Sequence, residues 1–192
     1  RNYFMPLLGQ IGQSEQVQFD ALSALGLELG NHNGELWQMR NGYALASQQG
    51  VEQINKRIQA ASAEQREQLK GFLRIGWQAD TQVTLPGCTH WVHQLYCSAL
   101  PVAYSTHPAD LWEPFARLIL EAAYEATFAI AYQQSVEQGR TKLYLTLLGG
   151  GAFGNATPWI IDAIEPMLHQ YASADLDVAI VSYGQSNPAV KM

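Results

Sequence analysis

The stretch that most limits what this chain can fold into runs from Leu143 to Ile164, LYLTLLGGGAFGNATPWIIDAI. Leu143, Tyr144, Leu145, Thr146, Leu147 and Leu148 form a near-continuous apolar run, the pattern of a strand covered on both faces in a parallel sheet. Gly149, Gly150 and Gly151 follow, then Ala152, Phe153, Gly154 and Asn155. Glycine permits positive φ and lets a ligand come close to the backbone. Thr157 has the chemistry of an N-cap and Pro158 that of a first helical residue. A strand, a glycine turn and a helix N-terminus in this order aim main-chain amides at one point, which suits an anion and above all a phosphate. Three successive glycines exceed what a tight turn without a ligand requires. No Gly-Lys-Ser/Thr follows, and the spacing is not G-x-G-x-x-G with an acidic residue on the next strand. The loop is therefore neither of the two common phosphate loops.

The length and hydrophobic share, 192 residues and 47%, suffice for one domain with a substantial core. Lys and Arg number 11 against 17 Asp and Glu, a net charge of −6, which argues against a sequence-independent grip on nucleic acid. One small anionic ligand is compatible with that balance, because main-chain amides neutralise a phosphate locally. Cys88 and Cys97 are the only cysteines, too few for a disulfide scaffold. No apolar run reaches membrane-spanning length, so no membrane association is expected. No secretory pattern opens the sequence. It begins with Arg1 rather than Met, as expected of a trimmed chain.

Taken in order, residues 1–35 read as an extended arm followed by a helix capped by Ser14 and running to about Leu25. Glu35–Met39 and Tyr43–Ala46 are short apolar runs around Asn41-Gly42, a hairpin signal. Val51, Ile54, Ile58 and Ala61 mark an amphipathic helix, and Ala63–Leu73 marks another. Thr81–Leu85 and Trp91–Tyr104 read as strands, with Pro101 ending or bulging the second. Leu111 to about Glu137 is a long helical stripe that Pro114 places near its own first turn, with Gly139 as C-cap. A helix from Pro158, kinked at Pro166, leads to a last strand, Leu176–Tyr183, and a polar tail over 185–192. Strand–helix alternation in the second half implies right-handed crossovers and an α/β fold. Its sheet is expected to be mixed but mainly parallel, with helices on both faces.

The run Gly149-Gly-Gly-Ala-Phe-Gly154 resembles the diphosphate-binding loop of macrodomains, and most of all the Gly-x-Gly-Ala-Phe-Gly loop of poly(ADP-ribose) glycohydrolases. Gln49-Gly50-Val51-Glu52 opening a helix is similar to that family's first loop. Gly76, Thr81, Val83 and Leu85 with Trp91-Val-His-Gln94 resemble its approach to the central strand, and Leu176–Tyr183 its last strand. The likeness covers residues 36–184 as one ADP-ribose-binding core. It departs from the family in lacking the Glu-Glu pair after the first loop, the Asn-Ala-Ala-Asn segment and an identifiable adenine-binding acid. Those departures make the chain more similar to bacterial macrodomains that remove single ADP-ribose units from arginine, including on ubiquitin.

The resemblance implies a three-layer α/β/α fold, ADP-ribose as ligand with no cofactor or metal required, and an ADP-ribosylated protein such as ubiquitin as partner. It implies a cytoplasmic protein, or an effector secreted into a host cytosol. Glu52 is the acid/base candidate, since glycosidic hydrolysis needs an activated water and an acid for the leaving group. A first-turn glutamate favoured by the helix dipole is the alternative. Asn41 either contacts the proximal ribose or turns a hairpin. Gln48, Gln49, Gly50 and Val51 would line the same pocket. Gly149, Gly150, Gly151, Ala152, Phe153, Gly154 and Asn155 would hold the diphosphate, with Phe153 against ribose and Tyr183 against adenine. Phe153 and Tyr183 fit plain packing equally well, and Asn155 either donates to a phosphate or ends the loop. His90 and His93 point to opposite faces of a strand and make a poor metal pair. A non-catalytic ADP-ribose reader and a ligand-free interaction domain are the alternatives to a hydrolase.

Overall fold

The computed structural model describes residues 19–182, 184–185 and 187–190, and the backbone of Pro6–Leu7 and Gln10–Ile11. It is a mixed α/β structure. The elements are β1 (Pro6–Leu7), β2 (Gln10–Ile11), α1 (Ser23–Glu28), β3 (Trp37–Arg40), β4 (Tyr43–Ala46), α2 (Gln48–Ala60), α3 (Ala63–Lys70), β5 (Gly76–Gln82), β6 (Trp91–Tyr96), α4 (Ala109–Gln138), β7 (Lys142–Thr146), α5 (Thr157–Gln170) and β8 (Asp177–Val181), with 3₁₀ turns at Val102–Tyr104 and Pro188–Val190.

α4 is the organising helix. Trp112, Phe115, Leu118, Ile119, Leu120 and Phe128 are almost fully buried along it, and it packs against α2, α3 and α5. It starts at Ala109, earlier than Pro114 suggests, so the proline sits one turn in. The carbonyl that Pro114 cannot serve belongs to Asp110, an exposed residue in the first turn. Gly139 closes the helix in the left-handed conformation at φ 66, as its sequence position predicts. Asn55 donates to the Leu111 carbonyl at 2.6 Å and ties α2 to the start of α4. Arg66–Glu121, Lys70–Glu125 and Arg117–Asp162 bridge α3, α4 and α5 at 2.9, 2.8 and 2.7 Å. Such part-exposed pairs contribute ~0–1 kcal/mol each, so the apolar faces hold the helices together.

The strands correct the expectation of a mainly parallel sheet. Among the described residues they form two-stranded ladders, antiparallel for β1–β2, β3–β4 and β5–β6 and parallel only for β7–β8. Tight turns explain the hairpins. Asn41 and Gly42 have φ 51 and 82, the type I′ geometry whose twist suits β3 and β4, so the hairpin reading of Asn41 is the one realised. β5 begins at Gly76 rather than Thr81 and carries a bulge between Gln78 and Thr81, where Asp80 takes φ 48. β6 stops at Tyr96, well before Tyr104, because Pro101 and the Val102–Tyr104 turn follow.

The β7–α5–β8 unit does follow the strand–helix–strand reading, with two differences. β7 alternates: Leu143 and Leu145 are buried while Tyr144 is 63% exposed, so one face of the strand is open instead of both being covered. α5 starts at Thr157 with Ala156 as its uncapped N-cap, one residue earlier than expected, and continues through Pro166.

Two other elements shift. The Ser14-capped helix lies partly outside the described residues; the helix seen is α1, and the Asp20 side chain accepting from Leu22 N at 2.8 Å forms the turn that starts it. α2 begins at Gln48, because the Ser47 side chain accepts from Gly50 N at 3.0 Å and caps it there. No described helix is long and apolar enough to cross a membrane.

Gly50 is the tightest point of this packing: a Cβ there would collide with the backbone carbonyl of Leu36. Gly50→Ala is therefore expected to cost about 1–3 kcal/mol by overpacking, read as a lower urea midpoint. An unchanged midpoint would mean that α2 does not lie against Leu36.

Candidate functional site

The glycine loop is held by hydrogen bonds within its own backbone and to the segments around it. Tyr124 of α4 donates its hydroxyl to Thr146 O at 2.7 Å and accepts from Leu148 N at 3.0 Å, which fixes how β7 ends. Gly150 N donates to Leu147 O at 3.1 Å, and Gly149 turns the chain at φ 75. Gly154 N donates to Gly151 O at 3.0 Å, and Asn155 N to Gly149 O at 3.0 Å. The Asn155 side chain, 3% exposed, donates to Leu100 O at 2.9 Å and weakly to Gly149 O at 3.4 Å. Ala103 N donates to Phe153 O at 2.9 Å.

The groups that remain include a run of donors. Among the described residues, no acceptor meets the amides of Gly151, Ala152 and Phe153. Gly150, Gly151 and Ala152 are exposed, and a Cβ on Gly151 would meet open space. No side chain caps α5 just behind the loop, which leaves its positive dipole end available. The arrangement can bind an oxyanion through neutral donors. The loop itself carries no cation.

Phe153 does not stand alone. Its ring lies edge-on to Tyr43 and Tyr104, with centroids at 5.8 and 5.5 Å, and those two rings are 5.3 Å apart. This trio brings the Asn41 hairpin to the glycine loop, since Tyr43 directly follows the Asn41-Gly42 turn. Tyr104 is 48% exposed, so the cluster has a solvent face beside the free amides.

The other expected site residues divide. Gln48 and Gln49 are exposed in the first turn of α2, not in a loop. Gly50 and Val51 are buried, Val51 completely, and serve packing rather than a pocket. Glu52 accepts from Gln48 Nε2 at 2.9 Å across one turn of its own helix. None of the hydrogen bonds or ring contacts joins Glu52 to the Gly149–Asn155 loop. Asn155 spends its donors on Leu100 and Gly149 and acts as a tie within the loop. Tyr183 lies outside the described residues. His93 accepts from Trp77 Nε1 at 3.3 Å, and burial pushes the Cys97 thiol up beside Thr127.

Tyr43, Tyr104 and Tyr124 were not singled out by pattern. Tyr43 could have been found from its place directly after Asn-Gly. Tyr124 falls off the main apolar stripe of its helix, and nothing in the sequence marks its hydroxyl as a partner of β7. No family model, no curated protein and no solved structure matches the chain.

Two outcomes follow from this geometry. Burial pushes the Tyr124 phenol from 10.0 up to about 12. The folded chain thus holds this proton more tightly than the unfolded chain. The contribution is complete below pH 10 and declines as pH rises toward 12, by about 1.4 kcal/mol per pH unit. Tyr124→Phe should cost about 1–2 kcal/mol near pH 7 and remove that part of the alkaline slope, both read from urea unfolding across pH. Gly149→Ala should destabilise, because its Cβ would collide with Ala99 and lie 2.7 Å from Asn155 Nδ2 at positive φ. Gly151→Ala, facing open space, should leave the melting temperature nearly unchanged.

Proposed function

We propose that the protein binds ADP-ribose with its diphosphate on the amides of Gly151, Ala152 and Phe153, and that it hydrolyses mono-ADP-ribose from modified proteins, arginine-linked ADP-ribose on ubiquitin included. The observation that carries the reading is the run of three amides, Gly151 to Phe153, without acceptors among the described residues, ahead of an uncapped helix N-terminus. A diphosphate offers enough oxygens to meet them all. The aromatic trio beside the loop supplies the apolar face that a sugar needs. A three-layer macrodomain-like core is part of the same reading, resting on β7–α5–β8 with the loop between β7 and α5. In the hydrolytic step Glu52 would act as acid or base at the proximal ribose, giving up its bond from Gln48 to do so.

That same bond favours a second reading, a non-catalytic ADP-ribose reader. A glutamate paired within its own first turn is explained by the helix alone. Both readings need the loop, and only the first needs Glu52.

Calorimetric titration with ADP-ribose, with AMP and NAD alongside, tests the shared part. The expected result is micromolar binding of ADP-ribose, weakened at least tenfold by Gly151→Glu. That substitution sets a carboxylate against the phosphate and forfeits charge-assisted bonds worth roughly 1.5–3 kcal/mol. Release of ADP-ribose from arginine-modified ubiquitin then separates the two readings. Turnover abolished by Glu52→Gln with binding intact supports the hydrolase, and binding without turnover supports the reader. No heat and no thermal shift with any of the three nucleotides would make the chain an α/β interaction domain.

A further inference from the structure

Beneath the β5–β6 hairpin lies an open concavity. It has a volume of ≈ 930 Å³ and lies between the two hairpins, the segment from Leu73 to Gln78 and the residues leading into α1. No residue of the Gly149–Asn155 loop lines it. Its floor is apolar and buried, with Leu22, Ala44, Ala99 and Leu100 at 7%, 5%, 4% and 2% exposure. Its mouth is aromatic and open, with Phe19, Trp77 and Tyr96 at 44%, 45% and 46%. Large rings are costly to leave in water, and three around one opening differ from scattered surface hydrophobics. The volume falls within the range of small-molecule sites.

Charge narrows the ligand. Among the described residues of the lining Arg74 is the one charged residue, and none is a carboxylate. Among the described residues its guanidinium makes no ion pair, whereas Arg66, Lys70, Arg117 and Arg140 each hold a carboxylate. The Arg74 amide donates to Ala21 O at 3.0 Å and anchors the base of the side chain in the cavity wall. The other polar side chains of the described lining, those of Tyr43, Gln78, Tyr96, Cys97 and Ser98, are neutral. Burial keeps the Cys97 thiol protonated, so it adds no charge to repel an anion. One guanidinium matches one planar oxyanion, and apolar walls cannot stabilise further charges as a diphosphate would require.

We propose that this cavity binds a small apolar monocarboxylate, an aryl or acyl acid whose body fills the space between the mouth aromatics and Ala44 and whose carboxylate pairs with Arg74. The site uses none of the glycine loop's donors and shares Tyr43 with the aromatic trio beside that loop.

The test is calorimetric titration of the full chain with 2-naphthoate and with its neutral analogue 2-naphthamide. The expected result is saturable binding of 2-naphthoate, roughly tenfold tighter than the amide. Arg74→Gln should remove that preference while leaving the amide's affinity in place, and Gly151→Glu should change neither. Absence of saturable 2-naphthoate binding to the wild type, equal affinity for acid and amide, or a preference that survives Arg74→Gln would each overturn the proposal. Arg74 is exposed, so the variant is expected to fold; the wild-type comparison of acid with amide decides the matter by itself if it does not.

Discussion

The candidate site depends on one buried carboxamide. Asn155 is 3% exposed, and its Nδ2 holds the Leu100 carbonyl at 2.9 Å while its backbone amide closes on Gly149. Through it the glycine loop is tied to the chain segment after β6, a connection spanning 55 residues of sequence. Ala103 N to Phe153 O adds a second tie to the same segment. Main-chain polar groups must be accounted for one by one, and here the accounting gives the loop its character. The carbonyls of Leu147, Gly149, Gly151 and Phe153 are all engaged, while the amides of Gly151, Ala152 and Phe153 are not. The Oδ1 of Asn155 is a buried side-chain acceptor without a partner among the described residues. Leaving it unmet costs ~1–3 kcal/mol, which the surrounding ties must offset.

An anion site made of neutral donors suits this chain. The net charge of −6 would resist an incoming polyanion at long range, and no lysine or arginine stands in the loop to counter that. Amides act only at contact distance, and each one has a direction. Such a site discriminates by the number and placement of oxygens more than by total charge. The aromatic trio extends that selectivity, since Tyr43, Tyr104 and Phe153 come from three separate segments and their edge-on contacts set one ring face beside the donors.

Local signals were legible in the sequence and long-range pairings were not. The glycine loop, the Asn41-Gly42 turn and the Gly139 cap each depend on residues within a few positions of one another, and each stands where pattern places it. The strand partners depend on segments far apart, and β7 shows what that hides. Six apolar or small residues in a row predicted cover on both faces, but the fold covers Leu143 and Leu145 and leaves Tyr144 outside. Gly50 misled for another reason. A glycine needed for close approach looks the same whether a ligand or a carbonyl does the approaching, and here it is Leu36 O. Composition cannot separate these cases. The neighbouring Ser47 could have done so, because a serine capping Gly50 N makes the segment a helix start and not a loop.

Geometry also constrains how binding and chemistry divide along the chain. Tyr43 touches Phe153, and Glu52 follows nine positions later. Four residues of β4 advance by roughly 13 Å, and the five positions from Ser47 to Glu52 add about 7 Å of helix, so the acid lies at most some 20 Å from the aromatic trio. Within that reach Glu52 makes none of the hydrogen bonds of the Gly149–Asn155 loop, and its side chain accepts from Gln48. In the hydrolase reading it takes part at the proximal ribose, the far end of an extended ligand from a phosphate held at Gly151–Phe153. Chemistry there would require the ligand to be long and fixed at the loop, since positioning at one end is what makes a single modest acid useful at the other. A short anion such as free phosphate would satisfy the loop and leave Glu52 with nothing to act on.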